Sequence, residues 1–326
     1  MPRSDTLNLL CLSTEPAVRD AIVSRLAPLS ERLTLLFSDP NDAADALAQA
    51  DGVICGSLPA ELRAKATNLR YVQFWSAGVD RLLYPELFAG GVTVATGAGV
   101  HAAAASEHVL ALMLAFARGL PLAFRAQQDH DWSRSGEIGK SIFELDGKTV
   151  GIVGAGVIGQ AIGKRCQAFG MRTVGTRRDT SEPTEGIDVL LSHIQYHDLI
   201  LESDFIVLAL PLTAGTRMIF GEDEIEILRK GSYLFNIGRG GLVDETWLLR
   251  ALQNRWLAGA GLDVFTDEPL PRDSPFWDLP NCIITPHVGG SSPSYWPRFA
   301  NLVAEQVDRL LSDQPLKNRV DPDLGY

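Results

Sequence analysis

The feature that most narrows what this chain can fold into is the stretch Lys148–Arg178, KTVGIVGAGVIGQAIGKRCQAFGMRTVGTRR. An apolar run ends in Gly154-Ala155-Gly156-Val157-Ile158-Gly159. A helical run with Ala161 and Gly163 on one face follows, and a second strand-like run ends at Thr176. A G-x-G-x-x-G alone says little, but between a strand and a helix it predicts a dinucleotide-binding β-turn-α-β unit. Gly154 permits the tight turn, Gly156 lets backbone N–H groups approach a pyrophosphate, and Gly159 lets helix and strand pack closely. The helix N-terminus offers free N–H groups and partial positive charge to the phosphates. A nicotinamide-dependent oxidoreductase is the expectation. Where an NAD-binding unit carries an acid for the ribose 2′-OH, this chain has Thr176, Arg177 and Arg178, with no carboxylate before Asp179. Two guanidiniums suit a 2′-phosphate, which they grip through paired N–H bonds. NADP(H) is therefore expected over NAD(H), with NAD as the weaker alternative.

At 326 residues the chain suits two domains rather than one small core. Short β-rich runs are expected at 8–13, 33–38, 52–56, 69–75 and 91–97, with helices over Pro16–Leu29 (Thr14 as N-cap) and Asp42–Ala50 between them. A long alanine- and leucine-rich helix over Ala102–Arg118 is expected to be buried on most sides, ending or bending at Gly119 and Pro121. Arg125–Ile142 reads as a connecting or subunit-contact segment. Strands then recur at 149–154, 172–176, 205–211, 231–238, 259–265 and 281–287, and a last helix spans Tyr295–Leu311. Such alternation predicts an α/β fold of two doubly wound parallel sheets, Rossmann-like, with both faces covered.

The net charge of -11 and the lack of a basic run argue against nucleic acid or an anionic membrane as partner. Cys11, Cys55, Cys166 and Cys282 form no C-x-x-C pair and read as buried free thiols. No metal site is expected. The apolar stretch Leu7–Leu12 is too short for a signal peptide, and no run reaches the roughly 20 apolar residues of a membrane span, so a cytoplasmic protein is expected.

Three later segments, NIGRGGLVDE (236–245), GLDVFTDEPL (261–270) and TPHVGG (285–290), set polar groups at the carboxyl ends of apolar strands, where open α/β sheets bind ligands. Reduction of a 2-keto acid needs a cation for the carboxylate and ketone, a proton donor for the forming alkoxide, and a group that keeps the donor protonated. Arg239 suits the first by its fork geometry. His287 suits the second, since imidazole ordinarily titrates at about 6.5. Glu268 suits the third by favouring and orienting an imidazolium. Asp263 is a candidate for the nicotinamide amide or for tuning Arg239. Leu210 and Pro211, ending the run 205–211, are further candidate cofactor contacts. In the loop FWSAGVD (74–80), Ser76, Ala77 and Gly78 allow a compact turn whose N–H groups form an anion-binding nest for the substrate carboxylate.

These motifs resemble the D-isomer-specific 2-hydroxyacid dehydrogenases, in their NADP-using glyoxylate/hydroxypyruvate reductase-like branch. The resemblance runs from FWSAGVD through GVHAAAASEHVLALMLAFAR, the glycine loop, GRGGLVDE, LDVFTDEPL and PHVGGSS. It implies a substrate-binding domain built from both ends, 1–101 and 294–326, with a nucleotide domain, 102–293, inserted between them, and it implies homodimers. It places the catalytic Arg, Glu and His on Arg239, Glu268 and His287. Cofactor contacts fall on Val157, Ile158, Ile237, Gly238, Asp263 and Gly290. Gly78 and Val79 match the substrate-carboxylate loop, and Val100 a position near the nicotinamide. His101 stands where Asn is common, and its role is open. Glu268 argues against the formate dehydrogenase branch. The chain is expected to carry no C-terminal regulatory domain, which counts against a phosphoglycerate dehydrogenase. The expected reaction is reduction of a small 2-keto acid of glyoxylate, hydroxypyruvate or pyruvate type to its D-2-hydroxy acid. The alternative is a dinucleotide-binding redox sensor, corepressor-like, on the same fold.

Overall fold

The computed structural model describes residues 6–326, so the first five residues of the expected segment 1–101 lie outside it. The chain divides into two compact units: residues up to His101 together with Ser292–Tyr326, and Ala102–Ser291.

The first unit is built on β1 (Leu7–Cys11), β2 (Leu33–Phe37), β3 (Gly52–Cys55), β4 (Tyr71–Phe74) and β5 (Thr93–Ala95). They form one parallel sheet in the order β2-β1-β3-β4-β5. Side chains alternate across a strand, and a parallel sheet covered on both faces needs both sets apolar. In β1, Leu7, Leu9 and Cys11 enter the core on one face, and Leu10 enters the core on the other. The helix Tyr295–Leu311 lays Phe299, Ala300, Val303 and Val307 into the core that holds Leu7 and Leu9. That burial ties the end of the chain to its start.

The second unit carries β6 (Thr149–Val153), β7 (Arg172–Arg177), β8 (Val189–Ser192), β9 (Phe205–Leu208), β10 (Tyr233–Asn236), β11 (Gly259–Leu262) and β12 (Cys282–Ile284). All are parallel, in the order β12-β11-β10-β9-β6-β7-β8. Phe205 and Val207 face one core, and Ile206 and Leu208 the other. The chain winds outward from β6 to β8, then returns to β9 and winds the other way. The carboxyl ends of β6 and β9 therefore flank the switch point where open α/β sheets bind ligands.

Several local expectations change. The helix Pro16–Leu26 takes Glu15, not Thr14, as N-cap, because Pro16 already occupies the first turn. The expected helix 42–50 narrows to Ala44–Gln49, after a short turn capped by the Asp39 carboxylate. Strand β8 was not expected; four residues at a sheet edge leave little pattern. The contact segment 125–142 is largely helical: the left-handed Gly119 (φ 63°) turns the chain into the helix Leu120–Gln128, and Ser135–Ser141 follows. Four expected strands end early, leaving 209–211, 237–238, 263–265 and 285–287 as loops at the sheet's carboxyl edge. Three of these stretches extend an apolar run, and the fourth is Thr285-Pro286-His287. Among the described residues, no single helix is long and apolar enough to cross a membrane.

Candidate functional site

The glycine turn joins β6 to the 12-residue helix Val157–Ala168. Gly154 has φ 103°, and a Cβ there would lie 2.6 Å from the Ala209 carbonyl oxygen after β9. A Cβ on Gly159 would overlap the Gly154 carbonyl oxygen. Gly156 differs: it is the N-cap, brings no side-chain cap, and a Cβ there would meet nothing within 4 Å. The open space in front of an uncapped helix N-terminus is where a pyrophosphate fits. Val157 is exposed and Ile158 half-buried beside it. Thr176, at the end of β7, is only 2% exposed. Its hydroxyl accepts from Gly154 N–H (3.4 Å) and its carbonyl from Ala155 N–H (2.8 Å), so it braces the turn. The exposed groups at that strand end are Arg177 and Arg178. Arg177 Nη1 donates to Thr184 Oγ1 at 3.5 Å. Beyond β9, Leu210 lies against Gly154, and Pro211 is exposed. Donors, open space and exposed guanidiniums at one edge suit a phosphorylated dinucleotide.

Arg239 leaves the sheet after β10. Asn236, 1% exposed, brackets the turn: its Oδ1 accepts from Gly238 N–H (3.1 Å) and its Nδ2 donates to the Arg239 carbonyl (2.8 Å). Arg239 Nη1 donates to the Gly238 carbonyl at 2.8 Å. Ile237, partly buried against the core, fixes the start of the loop.

Glu268 and His287 are in direct contact. His287 Nδ1 lies 2.8 Å from Glu268 Oε2, and Glu268 Oε1 accepts from Phe265 N–H at 2.9 Å. Burial alone would raise the Glu268 carboxyl. The hydrogen bonds from His287 and Phe265, with the positive charges of His287 and Arg239, outweigh it and hold the carboxyl below its ordinary range. His287 itself is half exposed, with its side chain 51% accessible. Its backbone is left-handed (φ 53°), a region that costs a non-glycine residue roughly 1–2 kcal/mol. Asp263 compensates. Its carbonyl accepts from His287 N–H (2.9 Å), and its carboxylate accepts from Thr285 Oγ1 (2.6 Å), Val288 N–H (2.9 Å) and Gly289 N–H (2.8 Å). Hydrogen bonds to a charged acceptor contribute about 1.5–3 kcal/mol each, enough to hold the strained turn. Asp263 is 3% exposed, and these donors take up most of its carboxylate. Gly290 follows the same turn and is half-buried. Arg239, Glu268 and His287 thus all stand on the carboxyl edge of one sheet. Asn236 and Thr285, whose hydrogen bonds hold the turns of Arg239 and His287, went unread in the sequence, because linear spacing does not reveal such bonds.

In the first unit, the loop after β4 places Ala77 and Gly78 half-buried, while the Val79 side chain is 2% exposed and joins the core. None of residues 76–79 has a positive φ. The loop is pinned by Gly97 N–H to the Ser76 carbonyl (2.9 Å) and by the Tyr295 hydroxyl on the Trp75 carbonyl. Val100 is 7% exposed, and His101 stacks on Tyr295 with ring centroids 4.7 Å apart. Cys11, Cys55 and Cys166 are buried free thiols and Cys282 a half-buried one; burial pushes Cys11, Cys166 and Cys282 up to about 12. No metal-ligating cluster occurs among the described residues.

Residues 110–289 match the family model of the D-isomer specific 2-hydroxyacid dehydrogenase NAD-binding domain. A glyoxylate reductase of Thermococcus litoralis is 34% identical over 269 residues, 81% of this chain and 80% of that protein. A D-3-phosphoglycerate dehydrogenase of Mycobacterium tuberculosis is 34% identical over 312 residues, covering 96% of this chain but only 57% of that protein. Among solved structures, an NADPH-dependent glyoxylate/hydroxypyruvate reductase from Sinorhizobium meliloti, in complex with NADP and sulfate, superposes with a TM-score of 0.83 at 29% identity, covering 98% of this chain and all of that one. The chain belongs to the D-isomer-specific 2-hydroxyacid dehydrogenase family and is an oxidoreductase acting on CH–OH groups with a nicotinamide dinucleotide.

Proposed function

We propose that this family member reduces a small 2-keto acid, of glyoxylate, hydroxypyruvate or pyruvate type, to the D-2-hydroxy acid with NADPH in the cytoplasm. The observation that carries the reading is the Glu268–His287 hydrogen bond of 2.8 Å, on the same sheet edge as Arg239 and the glycine turn. A sensor needs no such pair, so catalysis is favoured over dinucleotide sensing. The unit 102–291 is the dinucleotide-binding domain and the other unit the substrate domain. The N–H groups opened by Gly154, Gly156 and Gly159 would hold the pyrophosphate, and Arg177 and Arg178 would hold the 2′-phosphate. When bound, the reduced nicotinamide supplies the hydride for the ketone carbon. Arg239 grips the carboxylate and polarises the ketone. His287 gives its Nε2 proton to the forming alkoxide, since Nδ1 is engaged by Glu268. Glu268, held ionised below the ordinary carboxyl range, steadies the imidazolium. Ala77, Gly78, Val79 and Val100 are assigned to substrate recognition. A homodimer through the segment 120–141 is supported by the exposure of Phe124 (58%) and Trp132 (92%), the latter lining a cavity of about 600 Å³ with Ala126 and Ile138.

The test is His287→Ala with a panel of 2-keto acids, followed by NADPH absorbance. We expect kcat to fall by about 10²–10⁴-fold while the NADPH Kd stays unchanged. Turnover at the parent rate refutes the role of His287, and oxidation of NADPH by none of the acids in the parent protein refutes the reaction.

A further inference from the structure

The turn that carries His287 is held from a distant helix. His108 lies on Ala102–Ala117, 177 residues before Thr285 in sequence, and its Nε2 sits 3.0 Å from Thr285 Oγ1. A hydroxyl has a single proton, and Thr285 spends it on Asp263 Oδ1 at 2.6 Å. Toward His108 it can only accept, so His108 carries its proton on Nε2. The result is a directional chain: His108 Nε2–H to Thr285 Oγ, then Thr285 O–H to the Asp263 carboxylate. His108 Nε2 also lies 3.6 Å from Asp263 Oδ1. Gly289 closes the packing, for a Cβ there would lie 2.8 Å from Asp263 Oδ2 and 3.0 Å from the His108 ring.

We infer that His108 is a positioning residue for His287, acting through Thr285 and Asp263 to hold the 285–289 turn in the strained conformation that presents the imidazole. This rests on the role proposed for His287. The physical reason is that the Asp263 carboxylate takes donors from Thr285, Val288 and Gly289 at once while its carbonyl takes the His287 N–H, so the orientation of the carboxylate sets the residues on both sides of His287. Thr285 is the donor that also reaches outside the turn, and His108 fixes its rotamer. Without that restraint the carboxylate can rotate and the left-handed His287 backbone can relax. A displacement near 1 Å of a reacting group costs on the order of a hundredfold in rate.

The experiment pairs disruptive with conservative variants. Thr285→Val removes the hydroxyl at constant shape. His108→Leu removes the donor, and His108→Gln keeps an N–H donor on a side chain of similar reach. The first readout is the ¹⁵N and ¹H shifts of the His287 ring at fixed pH, with no substrate present. We expect the ring signals to move in Thr285→Val and His108→Leu and to return toward the parent in His108→Gln. The second readout is kinetic: kcat falling by roughly ten- to a hundredfold in the first two variants, with the NADPH KM within about twofold of the parent. Ring signals unmoved in both disruptive variants overturn the inference, whatever the turnover. Because that readout needs no reaction, it stands apart from the test of 2-keto acid reduction: a parent protein that reduces no keto acid refutes the proposed function, while the ring shifts still decide the role of His108.

Discussion

The two units are wound by the same rule and differ at their switch points. In the first sheet the order reverses between β1 and β3, and in the second between β6 and β9. After β6 the chain turns on Gly154 and enters a helix capped by Gly156, with no side chain between the N–H groups and solvent. After β1 it enters a helix with Glu15 as N-cap and Pro16 in the first turn. Proline withholds one N–H, and Glu15, though its side chain makes no cap hydrogen bond, brings a negative charge to that end of the helix. The same scaffold thus sets a carboxylate residue before the helix in one unit and leaves open space there in the other. Fold alone does not decide function; a handful of residues at one loop does.

The comparison can be broken by making the second switch point resemble the first. Gly156→Glu sets a carboxylate at that N-cap, with room for its Cβ. Two like charges about 4 Å apart near a surface repel by several kcal/mol, so NADPH affinity should fall by about a hundredfold or more, read by calorimetry, with the melting temperature preserved. Parent affinity would remove the helix N-terminus from the phosphate site. Arg177→Ala sharpens the assignment at the end of β7. Loss of one charged hydrogen bond, about 1.5–3 kcal/mol, should reduce the preference for NADPH over NADH in kcat/KM by roughly tenfold or more. An unchanged ratio would take Arg177 out of 2′-phosphate recognition.

Smaller is the pH effect at Glu268. Its carboxyl lies below the ordinary value in the folded protein, so ionisation stabilises the fold above the unfolded value of about 4.3. That stabilisation disappears as pH falls through the lowered folded value. The Tm advantage of the parent over Glu268→Gln should therefore be present near neutral pH and shrink in acid; a difference constant across that range contradicts it. Smallest is Glu15→Gly in the first unit, which should leave NADPH affinity untouched and shift stability by only a few tenths of a kcal/mol.

Much of this architecture was legible because parallel strands buried on both faces are continuous apolar runs. Tyr295–Leu311 was readable for another reason: Phe299, Val303 and Val307 recur at helical spacing. Strand ends were less legible. Asp263–Phe265 continues the buried pattern of β11 after the ladder has stopped, because that loop also packs inward, whereas Pro286 and His287 beyond β12 are exposed. Arg239, Glu268 and His287 stood out as polar groups at strand ends, and the Glu268–His287 contact followed from that placement. What spacing could not reveal was the support. Asn236 lies in a run that reads as strand, His108 in one that reads as buried helix. Their value comes from partners the fold alone brings near: the Arg239 carbonyl for one, Thr285 for the other. At Thr176 spacing showed the place at a strand end but not that its hydroxyl accepts from Gly154 N–H.

The attachment of Tyr295–Leu311 to the core beneath Leu7 and Leu9 also bears on the order of assembly during synthesis. Residues 102–291 emerge from the ribosome as one uninterrupted stretch and can fold while translation continues. The first unit begins earlier yet finishes later, because part of its core follows the second unit in the chain. Its opening strands must wait, covered on that face by Val18, Ile22 and Leu26 but not yet by Phe299, Val303 and Val307, while about two hundred residues are made and the closure entropy of that long loop is overcome. The domain that starts first is the one most exposed to chaperones and to aggregation on the way.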